Sequence, residues 1–163
     1  MITAAIVLAE AAVLFENLTA VQTQSYGAAA RGGATRSDVI ISKGPINYPK
    51  VIQPNVLVCL TQEAYNKFFS IIRPGGLLLT DPHFVTTQRK VDAVQKELPM
   101  YKTVMEHIGK PIVFNICMLG TVIGLTGIVK IDSVLKVLEK RIPPDFLAMN
   151  RKALELGFEL AGQ

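Results

Sequence analysis

Two short apolar segments on either side of a helix-length segment place the strongest constraint on the fold. Residues 55–60 read Asn-Val-Leu-Val-Cys-Leu, and residues 77–80 read Leu-Leu-Leu-Thr. Strands that are apolar along their whole length are typical of a parallel sheet covered by helices on both faces. Residues 62–72 have the composition of a helix, which Pro74-Gly75-Gly76 ends. This strand–helix–strand order predicts an α/β fold.

The rest of the chain continues the alternation of strands and helices. Further helices are predicted over about residues 3–15, 99–107, 116–126, 133–141 and 146–161, and further strands over about residues 19–24, 35–42, 91–95 and 112–114. The helix at 133–141 takes its predicted cap from Asp132 or Ser133. Together they indicate a three-layer α/β/α sandwich with a mostly parallel, mixed sheet. We find no linker or internal repeat, so residues 1–163 are predicted to form one domain.

The apolar run at residues 112–129 raises the question of a membrane span, which needs about 20 residues. Asn115 is predicted to cap a helix at its N-terminus and Gly127 to end it, which leaves too few residues to cross a bilayer. Gly120, Gly124 and Gly127 share one face, where another backbone could approach closely. The sequence therefore predicts a buried globular helix and no membrane span.

Composition excludes several functional classes. Hydrophobic residues make up 50% of the chain, which suggests that a partner protein covers part of its surface. The apolar N-terminal segment lacks a basic leader and contains Glu10, so we expect a cytoplasmic protein. Cys59 and Cys117 are the two cysteines of the chain, and both lie in apolar runs. Because an iron–sulfur cluster needs about four thiolates, we do not expect this chain to hold such a cluster by itself. The net charge of +4 comes from scattered basic residues, which gives no support for nucleic-acid binding.

A loop rich in glycine, between the strands predicted at 19–24 and 35–42, is the most unusual local sequence. Its backbone N–H groups could form an anion-binding concavity beside the fixed positive charge of Arg31. Arg36, five residues later, could add a second positive charge. A wide loop that needs glycine for its bends is an equally good interpretation. The residues concerned are Tyr26, Gly27, Arg31, Gly32, Gly33 and, on the following strand, Arg36.

Weaker candidates follow the predicted buried strands. Gln62 and Glu63 lie just beyond the first of these, where a polar contact to a ligand is plausible, although an acidic residue in a first helical turn is also ordinary. His83 follows Asp81-Pro82 beyond the next strand. Without a nucleophile or metal-ligand spacing nearby, His83 is interpreted as a surface loop residue.

Several segments, in order along nearly the whole chain, resemble the gamma subunits of 2-oxoacid:ferredoxin oxidoreductases. The Tyr-Gly-x-x-x-Arg-Gly-Gly piece is quite specific, and the others support it. The matching segments are residues 22–27, 30–42, 61–65, 74–76, Asn115 with 118–120, and Asn150 with Ala153 and 156–157.

Two departures from the family pattern bear on this resemblance. Ala28-Ala29 stand where family members usually carry Pro-Glu, so a contact made by that glutamate is missing. The family usually begins with a strand and a glycine-rich turn before the first helix, whereas Met1-Ile2-Thr3 already belongs to the helix. We therefore expect the first strand to be missing from this sequence, through truncation or an upstream start.

The resemblance implies a subunit of a heteromeric enzyme that oxidatively decarboxylates a 2-oxoacid, most closely 2-oxoglutarate, to an acyl-coenzyme A and reduces ferredoxin. Thiamine diphosphate and iron–sulfur clusters would lie on other subunits, namely alpha, beta and, as a further candidate, delta. This chain would be non-catalytic and inactive alone. The residues implied on the coenzyme A side are Tyr26, Gly27, Arg31, Gly32, Gly33 and Arg36, with Gln62, Glu63 and Asn115 as secondary candidates.

Two alternatives remain open. A purely structural assembly subunit would turn the Arg31 loop towards protein. A free-standing nucleotide-binding enzyme would need Gly-x-Gly-x-x-Gly after a first strand, and the sequence contains no such motif there.

Overall fold

The computed structural model describes residues 2–25, 35–88 and 90–162. The first two thirds of the chain contain both helices and strands, and the last third is helical. The elements are α1 (Ile2–Phe15), β1 (Thr19–Ser25), β2 (Arg36–Ser42), β3 (Val56–Cys59), α2 (Gln62–Phe68), β4 (Gly76–Thr80), β5 (Ala93–Glu97), α3 (Met100–His107), α4 (Phe114–Thr126), α5 (Ile131–Arg141) and α6 (Pro144–Ala161), with short 3₁₀ helices at Phe69–Ile71 and Pro111–Val113.

The chain divides into two compact units, which are described separately. The first contains residues 1–24, 37–50 and 100–163, and the second contains residues 25–36 and 51–99. The organisation of 1–163 as one domain stays a prediction.

The second unit is built on the predicted parallel sheet, in the order β3-β4-β5. Val56 lies opposite Leu77, and Gly76 lies opposite Ala93. Helix α2 packs on β3. The apolar strands bury one side of this sheet in a core of Cys59, Tyr65, Ile72, Leu78 and Val85. The α/β class, with helices packed around a parallel sheet, is confirmed.

Strands β1 and β2 form a separate pair, so the five strands of the described ranges lie in two sheets. The Gln22 side chain donates to Ser37 Oγ across this pair, at 3.0 Å. Every residue of β2 is half-buried. The sheet that the sequence predicted as continuous is thus divided in the part of the chain that the structure describes.

The first unit is held together by contact between α4 and α6. A Cβ atom on Gly120 would lie 2.1 Å from the Leu154 carbonyl oxygen, and one on Gly124 would lie 3.1 Å from the Phe158 carbonyl oxygen. The predicted close approach of another backbone is confirmed for these two glycines. Gly127 instead ends α4: its φ is 61° and its N–H donates to the Ile123 carbonyl at 2.8 Å.

The predicted start of α4 is wrong. The helix begins at Phe114 with Val113 as its N-cap, so Asn115 lies inside the first turn and does not cap it. The predicted strand at 112–114 is also absent, because Pro111 opens a 3₁₀ helix that leads directly into α4. Proline favours the first turn of a helix, since its φ is already helical and it has no N–H to satisfy.

Helix α5 starts at Ile131, and neither Asp132 nor Ser133 is its N-cap. The residue that follows α1 supplies the missing acceptor. Glu16 accepts hydrogen bonds from the Lys130 N–H at 3.0 Å and from the Ser133 hydroxyl. Near the other end of α5, Arg141 donates two hydrogen bonds to Glu10, at 2.5 and 2.6 Å. Helix α1, through Glu10, and the residue that follows it, Glu16, are therefore joined to the two ends of α5.

Over residues 2–25, 35–88 and 90–162, each helix is too short or too polar to cross a bilayer. The interpretation of residues 112–129 as a buried globular helix agrees with this finding, since Ile116–Ile123 are all buried.

Candidate functional site

The carboxyl ends of the parallel strands carry one group of the candidate residues. After β3, Thr61 caps α2, because its hydroxyl accepts from the Ala64 N–H at 3.2 Å. This cap places Gln62 and Glu63 in the first turn of α2, beyond the end of the strand. The exposed Glu63 carboxylate lies at the end of the helix where the macrodipole favours negative charge.

The Gln62 amide is engaged with its own unit. Its Oε1 accepts from the Thr86 N–H at 2.8 Å, and its Nε2 donates to the Thr86 carbonyl at 3.3 Å and to Asn66 Oδ1 at 3.2 Å. The Gln62 side chain therefore bonds to both the N–H and the carbonyl of Thr86, as the backbone of a neighbouring strand would, and fixes the segment that follows β4. A ligand contact by Gln62 would compete with these bonds and stays a prediction.

Asp81 organises the turn after β4, a role that the sequence reasoning missed. The residue is fully buried, and its Oδ1 accepts from the His83 N–H at 2.9 Å. Its carbonyl accepts from the N–H groups of Phe84 and Val85, both at 3.0 Å. The His83 ring packs edge-on against Phe84, with 4.6 Å between centroids, and lies at the surface. The Asp-Pro dipeptide was the sequence signal for this turn.

Arg36 lies at the opposite end of the parallel sheet. Its Nη2 donates to the Val51 carbonyl at 2.6 Å, and its guanidinium carbon lies 5.6 Å from the centroid of the Phe68 ring. Val51 comes shortly before β3, and Phe68 is the last residue of α2. Both contacts are therefore at the amino ends of the strands.

Helix α2 separates the two groups of candidates. Gln62 is its first residue and Phe68 its last, which corresponds to about 9 Å at 1.5 Å per residue. The structure therefore does not bring Arg36 together with Gln62 and Glu63 in one site. The other residues of the predicted coenzyme A loop lie outside the described residues: Tyr26, Gly27, Arg31, Gly32 and Gly33.

Asn115 belongs to the first unit, in the first turn of α4. Its Oδ1 atom is buried and has no hydrogen-bond partner within the described residues. An unsatisfied buried acceptor costs free energy, and such atoms are uncommon in folded proteins. A ligand contact by Asn115 stays a prediction.

Both cysteines are buried, and they form no disulfide bond. Burial raises the pKa of the Cys59 thiol to about 12. The Cys117 thiol points to the Met100 carbonyl, with 3.9 Å between Sγ and the oxygen. Among the described residues, no cluster of three or more His, Cys, Asp or Glu side chains could hold a metal ion.

Comparison with known proteins gives close relatives over nearly the full length of the chain. A family model described as pyruvate ferredoxin/flavodoxin oxidoreductase matches residues 1–160. The 2-oxoglutarate synthase subunit KorC of Methanocaldococcus jannaschii is 44% identical over 163 residues, which cover 99% of this chain and 87% of the relative.

Two solved structures share the fold. The gamma subunit of a keto/oxoacid ferredoxin oxidoreductase from Geobacter sulfurreducens is 39% identical, with a TM-score of 0.88, and the match covers 98% of this chain and 90% of that one. A 2-oxoglutarate:ferredoxin oxidoreductase from Magnetococcus marinus, solved with 2-oxoglutarate, coenzyme A and succinyl-CoA bound, is 20% identical, with a TM-score of 0.87. That match covers 98% of this chain but 28% of the other, and at this identity it shows the fold alone.

The family match and the full-length relative agree with the order of motifs in the sequence and with the α/β fold. The chain belongs to the pyruvate ferredoxin/flavodoxin oxidoreductase family.

Proposed function

We propose that this chain is the gamma subunit of a 2-oxoacid:ferredoxin oxidoreductase of the 2-oxoglutarate type. The observation that supports it most strongly is the 44% identity to a 2-oxoglutarate synthase subunit over 99% of the chain. A second such subunit, from Methanothermobacter marburgensis, is 37% identical over 98% of the chain. The pyruvate synthase subunit PorC of the same organism is 29% identical, which favours the 2-oxoglutarate type.

In the proposed complex, 2-oxoglutarate loses carbon dioxide, its acyl group passes to the thiol of coenzyme A, and the electrons released reduce ferredoxin. Thiamine diphosphate and iron–sulfur clusters belong to the alpha, beta and delta partners. The two buried cysteines of this chain form no disulfide bond, which suits a reducing compartment, so we place the complex in the cytoplasm.

The proposed contribution of this chain is a contact on the coenzyme A side, made by the loop of Tyr26, Gly27, Arg31, Gly32 and Gly33. Coenzyme A carries phosphate groups, and a guanidinium presents planar paired donors that match phosphate oxygens. Glycines allow the backbone to approach such a group closely. Arg31 is the residue expected to carry the charge.

Reconstitution of the complex from separately purified subunits tests the proposal. Coenzyme A-dependent oxidation of 2-oxoglutarate, followed by ferredoxin reduction, should appear when this chain is added and be absent without it. Pyruvate should be a poorer substrate. Full activity of the remaining subunits alone would overturn the proposal.

The loop contact is tested in the same complex with Arg31→Ala and Arg31→Lys. Both should raise KM for coenzyme A while leaving KM for 2-oxoglutarate unchanged, and lysine should restore part of the affinity because it keeps the charge. Arg73→Ala is the matched control, since Arg73 is an exposed arginine in the same unit. If the chain is purely an assembly subunit, Arg31→Ala will instead reduce the yield of complex at an unchanged KM.

A further inference from the structure

We draw no further inference here: the strongest candidate, the outer edge of β3 in the second unit, where the apolar residues Val56–Cys59 have no neighbouring strand on that side within the described residues, carries no proposal because nothing in the structure shows what covers that edge.

Discussion

Gly157 of α6 lies directly against Cys117 of α4: a Cβ atom on Gly157 would be 1.9 Å from the Cys117 carbonyl oxygen. The relationship is reciprocal, since a Cβ on Gly120 of α4 would be 2.1 Å from the Leu154 carbonyl oxygen of α6. Real Cβ atoms do not approach backbone oxygen so closely, and neither neighbour can rotate away. The two helices are therefore in backbone contact, and among the described glycines of the first unit those at positions 120, 124 and 157 leave no room for a Cβ atom.

Gly157→Ala should separate α4 from α6 and destabilise the chain by about 3 kcal/mol, at the upper end of the usual cost of overpacking a core. Alanine has a higher helix propensity than glycine, so without a clash this substitution should stabilise α6. A net loss of stability would therefore identify the clash between the new Cβ atom and α4 as the cause. Urea denaturation followed by circular dichroism measures the change.

Gly44→Ala is the matched control for this experiment, because nothing lies within 4 Å of its Cβ position. It should change the free energy of unfolding by less than about 0.5 kcal/mol. A Gly157→Ala variant as stable as the wild type would contradict the helix contact described above.

The links between α1 and α5 should make stability depend on pH in the acidic range. The hydrogen bond from Arg141 lowers the pKa of Glu10, and the hydrogen bonds from Ser133 and the Lys130 N–H lower the pKa of Glu16. A carboxylate with a lowered pKa in the folded state stabilises the fold above its unfolded pKa, and this contribution is lost as pH falls through the folded pKa.

The Glu10→Gln, Glu16→Gln double variant should therefore melt at a lower temperature than the wild type at neutral pH. The gap should close at pH values below the ordinary glutamate pKa of about 4.3, as the wild-type carboxylates become protonated. Glu106→Gln is a suitable control, since its pair with Lys102 is exposed and contributes little. A difference in melting temperature that stays constant as the pH falls well below the glutamate pKa would rule out these carboxylates as its cause.

Neither cysteine should react with Ellman's reagent in the folded chain at neutral pH. Cys59 is 1% exposed and its pKa is raised to about 12, and Cys117 is fully buried. The thiolate is the reactive form, so both burial and the raised pKa suppress the reaction. Absorbance should report two thiols after unfolding in urea. One equivalent released before unfolding would contradict this, and the Cys59→Ala and Cys117→Ala variants would show which thiol had reacted.

Local sequence patterns predicted most of the helices and strands. Strands β3 and β4 follow directly from their apolar composition, because a segment that is apolar on both faces must be covered on both faces. Strand β5 was expected at 91–95 and lies at Ala93–Glu97, a shift that reflects its weaker pattern. Gly127 ends α4 as predicted, since a residue with positive φ at that position is specified locally by glycine.

The error at the start of α5 arises because a partner distant in sequence decides the outcome. Asp132 and Ser133 looked like caps for α5, but Glu16 supplies the acceptor, more than a hundred residues earlier in the chain. Local sequence also gave no sign that the Gln62 amide is bonded to Thr86 or that Arg36 contacts Val51 and Phe68. Ligand contacts by Gln62 and Arg36 stay predictions.

The sequence by itself determined the α/β class, the positions of the buried strands and the family, because these depend on residue order and on apolar patterns that act over a few residues. The tertiary structure decided which polar side chains form hydrogen bonds within the fold and at which end of the sheet they lie. Those properties depend on contacts between segments far apart in the chain, and no local pattern encodes the distance from Arg36 to Val51 or from Glu16 to the start of α5.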